Sequence, residues 1–290
     1  MSTVLDPPGD LLAELRRSAF RPSRTRGQHF LNDPSIARRI VEAAGVTRNT
    51  AVLEIGPGTG ALTRHLVVRA GRIIAVEIDT RLARALEEAY GRYDHLAILN
   101  RDVLDLDLPE LMGGFDETGF VVVANLPYGI TGPVLDRLIT CHGKITGAVV
   151  MVQSEVGGRL TASPGTKAYG AITATLSYHY GVESLFHVEG DRFVPRPAVD
   201  SVVLRLTPHD RPPVDVRDAS LLTTVIRAAF QHRRKMLRHA VSRLAPGSDG
   251  YLSDRTGIDL RRRGETLDLA EFAALADALW EYRDHRRDHS

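Results

Sequence analysis

Apolar residues gather in short continuous runs over the first two-thirds of the chain. AVLEI (51–55), RIIAV (72–76), LAIL (96–99), FVVVA (120–124) and GAVVMV (147–152) are rich in valine, isoleucine and leucine. Strands buried on both faces read as continuous apolar runs, not as alternating ones. Stretches with helical spacing, such as ALTRHLVVRA and TRLARALEEAY, separate most of them. This pattern predicts a parallel sheet with helices on both faces. Further strands are expected near 174–187 and at 201–206, and the missing helix between them suggests an antiparallel edge hairpin. Upstream, DPSIARRIVEAA (33–44) predicts a helix with Asp33 as N-cap and Pro34 in the first helical position.

The pattern changes after TPHDRPPVDVRD (207–218), a proline-rich, charged linker. Beyond it only helical spacing remains. Residues 221–244 read as one segment and 269–282 as another, with Phe272, Leu275 and Leu279 on one stripe and Trp280 beside it. That stripe is read as a core-facing helix face. The expected fold class is therefore α/β. A loosely structured basic arm over 1–25 precedes a main domain (26–207) with a mainly parallel seven-stranded sheet, followed by a small all-helical C-terminal domain (208–290).

Composition changes this picture little. A chain of 290 residues exceeds one ordinary core, in line with a large and a small domain. Its 43% hydrophobic and 25% charged content is that of a globular protein, and the net charge of +1 makes no case for a nucleic-acid partner. Cys141 is the only cysteine, which excludes intramolecular disulfides and cysteine-cluster metal sites. MSTVLDPPGD has no apolar signal core and no later run is long enough to span a membrane, so a cytoplasmic protein is expected.

The candidate chemistry lies at the strand ends. LEIGPGTGALT (53–63) puts Gly56, Gly58 and Gly60 at a strand–helix turn, where glycine lets backbone approach a ligand closely. Glu54 precedes the turn. Glu77 ends the next strand in VEID, where an acid can accept ribose hydroxyls, and Asp102 follows the third strand in NRDV, placed to meet an adenine amino group. Ligands of open α/β sheets bind at these carboxyl ends. A dinucleotide and S-adenosylmethionine are both candidates. GPGTG lacks the GxGxxG spacing and no basic residue is placed for a pyrophosphate, which favours S-adenosylmethionine.

The fourth strand ends in NLPY. Adenine N6 is a poor nucleophile because its lone pair is delocalised into the ring. An amide oxygen and a backbone carbonyl that accept its two N–H bonds favour a more tetrahedral nitrogen, aimed for in-line transfer without a strong base. Asn125 and the Leu126 carbonyl are the candidate acceptors, Pro127 fixes the turn, and Tyr128 stacks on the base. Taken alone, NLPY reads equally well as a proline-capped strand with a buried tyrosine.

GQHFLND (27–33), LEIGPGTGALT, VEID, NLPYGIT (125–131), GTKAYG (165–170), FVPRPAVDSVVLRL (193–206), FQHRRKMLRHAV (230–241) and GETLDLAEFAALADAL (264–279) occur in one order. Over residues 24–280 this set resembles the ribosomal RNA adenine N6,N6-dimethyltransferases, the KsgA/Dim1/Erm family. The resemblance implies a Rossmann-like class I methyltransferase domain with a helical C-terminal domain that recognises RNA or the ribosome. It implies S-adenosyl-L-methionine as cofactor, held by His29, Leu31, Glu54, Gly56, Gly58, Glu77, Asp102 and Asn125. It also implies a target adenine held by Asn125, Leu126, Pro127 and Tyr128, with Phe193 as the second aromatic wall. An unpaired adenine does need flat apolar surfaces and hydrogen bonds to its edge.

Two branches compete. One dimethylates two adjacent adenosines near the 3′ end of 16S rRNA during small-subunit maturation. The Erm type methylates 23S rRNA and confers macrolide-type resistance. Leu126, GTKAYG and the two C-terminal motifs favour the first. His29, Gly129, Ala198 and His239 depart from the residues usual in that branch. A non-catalytic assembly factor is a third reading. Arg16, Arg17, Arg21, Arg24 and Arg26 form one acid-free basic run; Arg227, Arg233, Arg234, Lys235, Arg238 and Arg243 form another. Of these, Arg24, Arg26, Arg233, Arg234, Lys235 and Arg238 are the candidate RNA contacts, since such clusters neutralise phosphates without reading sequence. The expected partner is rRNA in a 30S-type particle, and the expected working form is a monomer.

Overall fold

The computed structural model describes residues 11–17, 20–23, 27–113, 119–127, 129–232 and 235–287. Contacts divide the chain into two units, Met1–Gly157 with Gly181–Pro208, and Gly158–Tyr180 with His209–Ser290.

The first unit is built on seven strands: β2 (Ala51–Ile55), β3 (Arg72–Val76), β4 (Leu96–Leu99), β5 (Phe120–Asn125), β6 (Ile145–Gln153), β7 (Tyr180–Val188) and β9 (Ser201–Pro208). Their order is β4-β3-β2-β5-β6-β9-β7. The β2–β3, β3–β4, β2–β5 and β5–β6 pairs are parallel, and β9 runs antiparallel to β6. From β2 the chain builds outward to β3 and β4, then returns to the other side of β2 for β5. That reversal is the switch point at which α/β sheets hold ligands. A separate two-stranded pairing joins β1 (Phe30–Leu31) to β8 (Phe193–Val194), with Leu31 opposite Phe193.

Helices α1 (Leu11–Arg17), α2 (Pro34–Ala43), α3 (Thr63–Leu66), α4 (Thr80–Tyr90), α5 (Leu108–Gly113) and α6 (Thr131–Thr140) accompany the strands, and α7 (Ser154–Leu160) follows β6. Asp33 caps α2 as expected, accepting from the Ser35 and Ile36 amides with Pro34 in the first turn. The core gathers Ile40 and Val41 of α2 with Val52, Leu66, Ile73, Leu86, Val123, Met151 and Val203.

The second unit comprises α8 (Ala171–His179), α9 (Ala219–Gln231), α10 (Leu237–Leu244), α11 (Asp249–Thr256) and α12 (Leu269–Arg287). Phe272, Leu275 and Leu279 of α12 are buried with Leu222 and Ile226 of α9, the face expected from their spacing. Two expectations are corrected. Residues 171–179 are helical, and the strand expected from 174 starts at Tyr180. Thr173, Ala174, Thr175, Leu176 and Tyr178 are all buried, so α8 has no polar face to betray helical spacing. The single helix expected over 221–244 is two. The Leu237 and Arg238 amides at the start of α10 bond the Arg262 and Leu260 carbonyls instead of continuing α9. No described helix is long and apolar enough to cross a membrane.

Candidate active site

At the carboxyl ends of β2, β3 and β5 the first unit opens into a cavity of about 470 Å³. That is within the range of small-molecule sites, roughly 300–1,000 Å³. One wall is the glycine turn after β2. Gly56, Gly58 and Gly60 have φ of 68°, 59° and 76°, values that glycine reaches without strain. A Cβ on Gly58 would lie 3.1 Å from the Phe30 ring, so the backbone there is pressed against a cavity-lining aromatic.

Glu77 forms the next wall. The Gly58 amide donates to its Oε2 (3.0 Å) and the Asp79 amide to its Oε1 (2.8 Å). These two backbone bonds hold the carboxylate at the cavity wall. Asp102 and Arg101 line the side beyond β4, and Asp102 Oδ1 accepts the Leu104 amide at 2.9 Å. Phe30, Leu82 and Ile78 supply apolar surface.

Asn125, Leu126 and Pro127 end β5 in the opposite wall. The Leu126 amide donates to the Met151 carbonyl (3.0 Å), which ties the strand end to β6. The Pro127 carbonyl accepts the Ile130 amide (3.1 Å) and the Thr131 hydroxyl (3.3 Å), closing the turn into α6. Asn125 Nδ2 donates to the His29 carbonyl at 3.4 Å, leaving Oδ1 as an acceptor. His29 Nδ1–H donates to the Pro195 carbonyl at 2.7 Å. The imidazole thus links GQHFL to FVPRP, and it is the His29 backbone that meets Asn125.

The structure brings together most of the expected residues: His29, Leu31, Gly56, Gly58, Glu77, Asp102, Asn125, Leu126, Pro127 and Phe193 all line this one cavity. Phe193 and Leu31 reach it through the β1–β8 pairing, which joins motifs far apart in sequence. Glu54 is corrected. It is fully buried and does not line the cavity; its Oε2 accepts the Thr63 hydroxyl (2.8 Å), and Oε1 has no partner among the described residues. Burial pushes its carboxyl up to about 8, against the hydrogen bonds from Thr63 and with help from Glu77. Tyr128, Arg24, Arg26, Arg233 and Arg234 lie outside the described residues. Lys235 and Arg238 are exposed in the second unit. Sequence reasoning missed Gln28 and Phe30, which also line the cavity. Both flank His29 in the quoted motif, so adjacency was the available signal.

A glycine turn, an acid at the end of the adjacent strand and an Asn-Leu-Pro end on β5 around one cavity define a Rossmann-like methyltransferase. The family described as Ribosomal RNA adenine dimethylase matches residues 19–280. The chain is 44% identical over 280 residues to Ribosomal RNA small subunit methyltransferase A of Geobacillus thermodenitrificans, covering 94% of this chain and 96% of the relative. It is 43% identical to the protein of the same name from Moorella thermoacetica, over 94% and 97% of the two chains. Among solved structures, a dimethyladenosine transferase from Plasmodium falciparum aligns with a TM-score of 0.70 at 25% identity, over 88% and 98% of the two chains. The 23S rRNA methyltransferase ErmE aligns at 0.63 and 25%, over 86% and 99%. The chain belongs to the ribosomal RNA adenine dimethylase family and is an rRNA adenine dimethyltransferase.

Proposed function

We propose that this enzyme uses S-adenosylmethionine to dimethylate N6 of two adjacent adenosines near the 3′ end of 16S rRNA. The substrate is a 30S-type particle in the cytoplasm, and the enzyme works as a monomer. One observation carries the reading: the Asn125 amide, with Nδ2 committed to the His29 carbonyl, shares a cavity with the glycine turn, Glu77 and Asp102.

The residues present fit the cofactor. The Gly56 and Gly58 backbone has no side chain to fill the cradle, Glu77 suits ribose hydroxyls, and Asp102 suits an adenine amino group. When bound, the cofactor supplies an electrophilic sulfonium methyl. Everything else is positioning by the chain. Asn125 Oδ1 and the Leu126 carbonyl accept the two N6–H bonds, which localises the nitrogen lone pair. The Pro127 carbonyl is already taken by Ile130 and Thr131, which keeps the turn closed beneath the base. Phe193 gives one flat wall; the family pattern gives Tyr128 the other. Lys235 and Arg238 are assigned to rRNA phosphates.

Asn125→Ala should lower methyl transfer about 100-fold or more, while S-adenosylhomocysteine binding by calorimetry stays within about threefold. Unchanged turnover on the right substrate would remove Asn125 from this role. The small-subunit reading is favoured over the Erm reading because relatives at 42–44% identity carry the small-subunit name. Tritiated cofactor incubated with 30S or 50S particles, followed by mapping of the labelled adenine, separates the two.

A further inference from the structure

Asp79 is a buried carboxylate beside the cavity that the mechanism does not use, with four side-chain bonds to described residues. It is 2% exposed and does not line the cavity. Its Oδ1 accepts the Arg81 amide (3.0 Å) and Nε (3.2 Å); its Oδ2 accepts Arg81 Nη2 (3.0 Å) and Gln28 Nε2 (3.3 Å). Burial opposes its ionisation, but the bonds from Arg81 and Gln28 outweigh that and pull the carboxyl down to about 2, so it stays an anion throughout the working range.

Two chains of contacts leave this carboxylate. On one side the Asp79 amide holds Glu77 Oε1, and Glu77 Oε2 holds the Gly58 amide. On the other, Gln28 is fixed at both ends. Its Oε1 accepts the Ser23 amide (2.7 Å), and its own amide donates to the Ser23 carbonyl (3.2 Å). The next residue is His29, whose carbonyl accepts Asn125 Nδ2. A continuous path therefore runs from the glycine turn through Glu77, Asp79, Gln28 and His29 to the amide that aims the target.

Asp79 also caps α4, a purely structural duty for which the Arg81 amide suffices. The Arg81 guanidinium and Gln28 bonds go beyond what a cap needs, and of these the Gln28 bond is the one that leads back to the cavity wall. We propose that Asp79 is a positioning residue. By holding the Gln28 amide it fixes residues 27–30 against Glu77, and so sets cofactor affinity and the aim of Asn125 together. This rests on the function proposed above.

The test exchanges donor and acceptor. Asp79→Asn still caps α4, because Asn serves as well as Asp, but it turns an NH₂ towards the Gln28 NH₂. Gln28→Glu alone sets a second carboxylate against Asp79. In the double variant Asp79→Asn/Gln28→Glu the bond re-forms with reversed polarity, and the new carboxylate still accepts the Ser23 amide. The exposed Arg81 Nη2 bond to Oδ2 is lost in Asp79→Asn and in the double variant alike, so the comparison between those two isolates the Gln28 bond. Calorimetry with S-adenosylhomocysteine should show each single variant about tenfold weaker than wild type, and the double variant within about threefold of it. Methyl transfer to 30S particles at saturating cofactor should follow the same order. Single variants that bind like wild type, or a double variant no better than the worse single one, would overturn the assignment. If Asp79→Asn does not fold, Gln28→Ala leaves the cap intact and carries the test: about tenfold weaker binding supports the latch, and unchanged binding overturns it. A wild-type protein that does not bind S-adenosylhomocysteine would instead defeat the proposed function.

Discussion

Glu54 shows how a single residue can match a motif and serve another purpose. It precedes the glycine turn, but its carboxyl is enclosed beneath the turn with Thr63 as its one hydrogen-bond partner among the described residues. Its pKa is raised from 4.5 to about 8, so the folded state prefers the protonated acid. The sign follows directly. The stability this group contributes is full below about pH 4.5, declines as the unfolded chain ionises, and is lost once the pH passes about 8. Glu54→Gln keeps an acceptor for Thr63 and cannot ionise. Relative to wild type it should gain up to about 3 kcal/mol between pH 5 and pH 8, read from denaturant midpoints across that range. A constant difference between the two proteins would mean that Glu54 ionises freely in the fold. Burial direction is what the sequence could not show: alternation along a strand does not say which side chain turns under a loop. Asn125, Glu77 and Asp102 could be picked out because they end strands or closely follow them, at the side of the sheet where α/β folds hold ligands.

At the scale of elements, the glycine turn divides into positions with different duties. Gly58 meets the Phe30 ring, whereas a Cβ on Gly60 would lie 2.9 Å from the ring and hydroxyl of Tyr90. Tyr90 is 1% exposed and cannot withdraw. Gly60→Ala should therefore cost about 2–3 kcal/mol in a thermal or denaturant melt, combining a forced positive φ with overpacking. Gly58→Ala should cost about 1 kcal/mol and act mainly on S-adenosylhomocysteine binding, because Phe30 can shift into the cavity. The reverse ranking would show that the cavity wall is stiffer than the core beneath the turn. The parallel strands were read almost to the residue, because a strand covered on both faces shows itself as an apolar run bounded by turns. The break between α9 and α10 was not. Carbonyls from residues 260 and 262 cause it, and local spacing carries no trace of so distant a partner.

Across the whole molecule, a net charge of +1 means that any attraction to RNA has to be local. The basic residues of the second unit differ sharply in what surrounds them. Arg261 is paired with Asp259 at 2.9 Å, and Arg262 forms an ion pair with Glu271. Lys235 and Arg238 are exposed and have no ion pair among the described residues. A cation already neutralised within the protein releases fewer RNA counterions than one that meets phosphate directly. The acids near residues 261–263 already set that run apart in the sequence; the structure shows which acid each arginine meets. If Lys235 and Arg238 each contact a phosphate, Lys235→Ala/Arg238→Ala should flatten the plot of log binding constant against log salt by about 1.4–1.8. Arg261→Ala should change that slope by less than about 0.5, since Asp259 already holds its charge. Fluorescence titrations with a 3′-terminal small-subunit rRNA fragment at several salt concentrations read both slopes. Equal effects from the two sets would show that the intramolecular pairs open on binding, and would move the RNA surface to include residues 261–263.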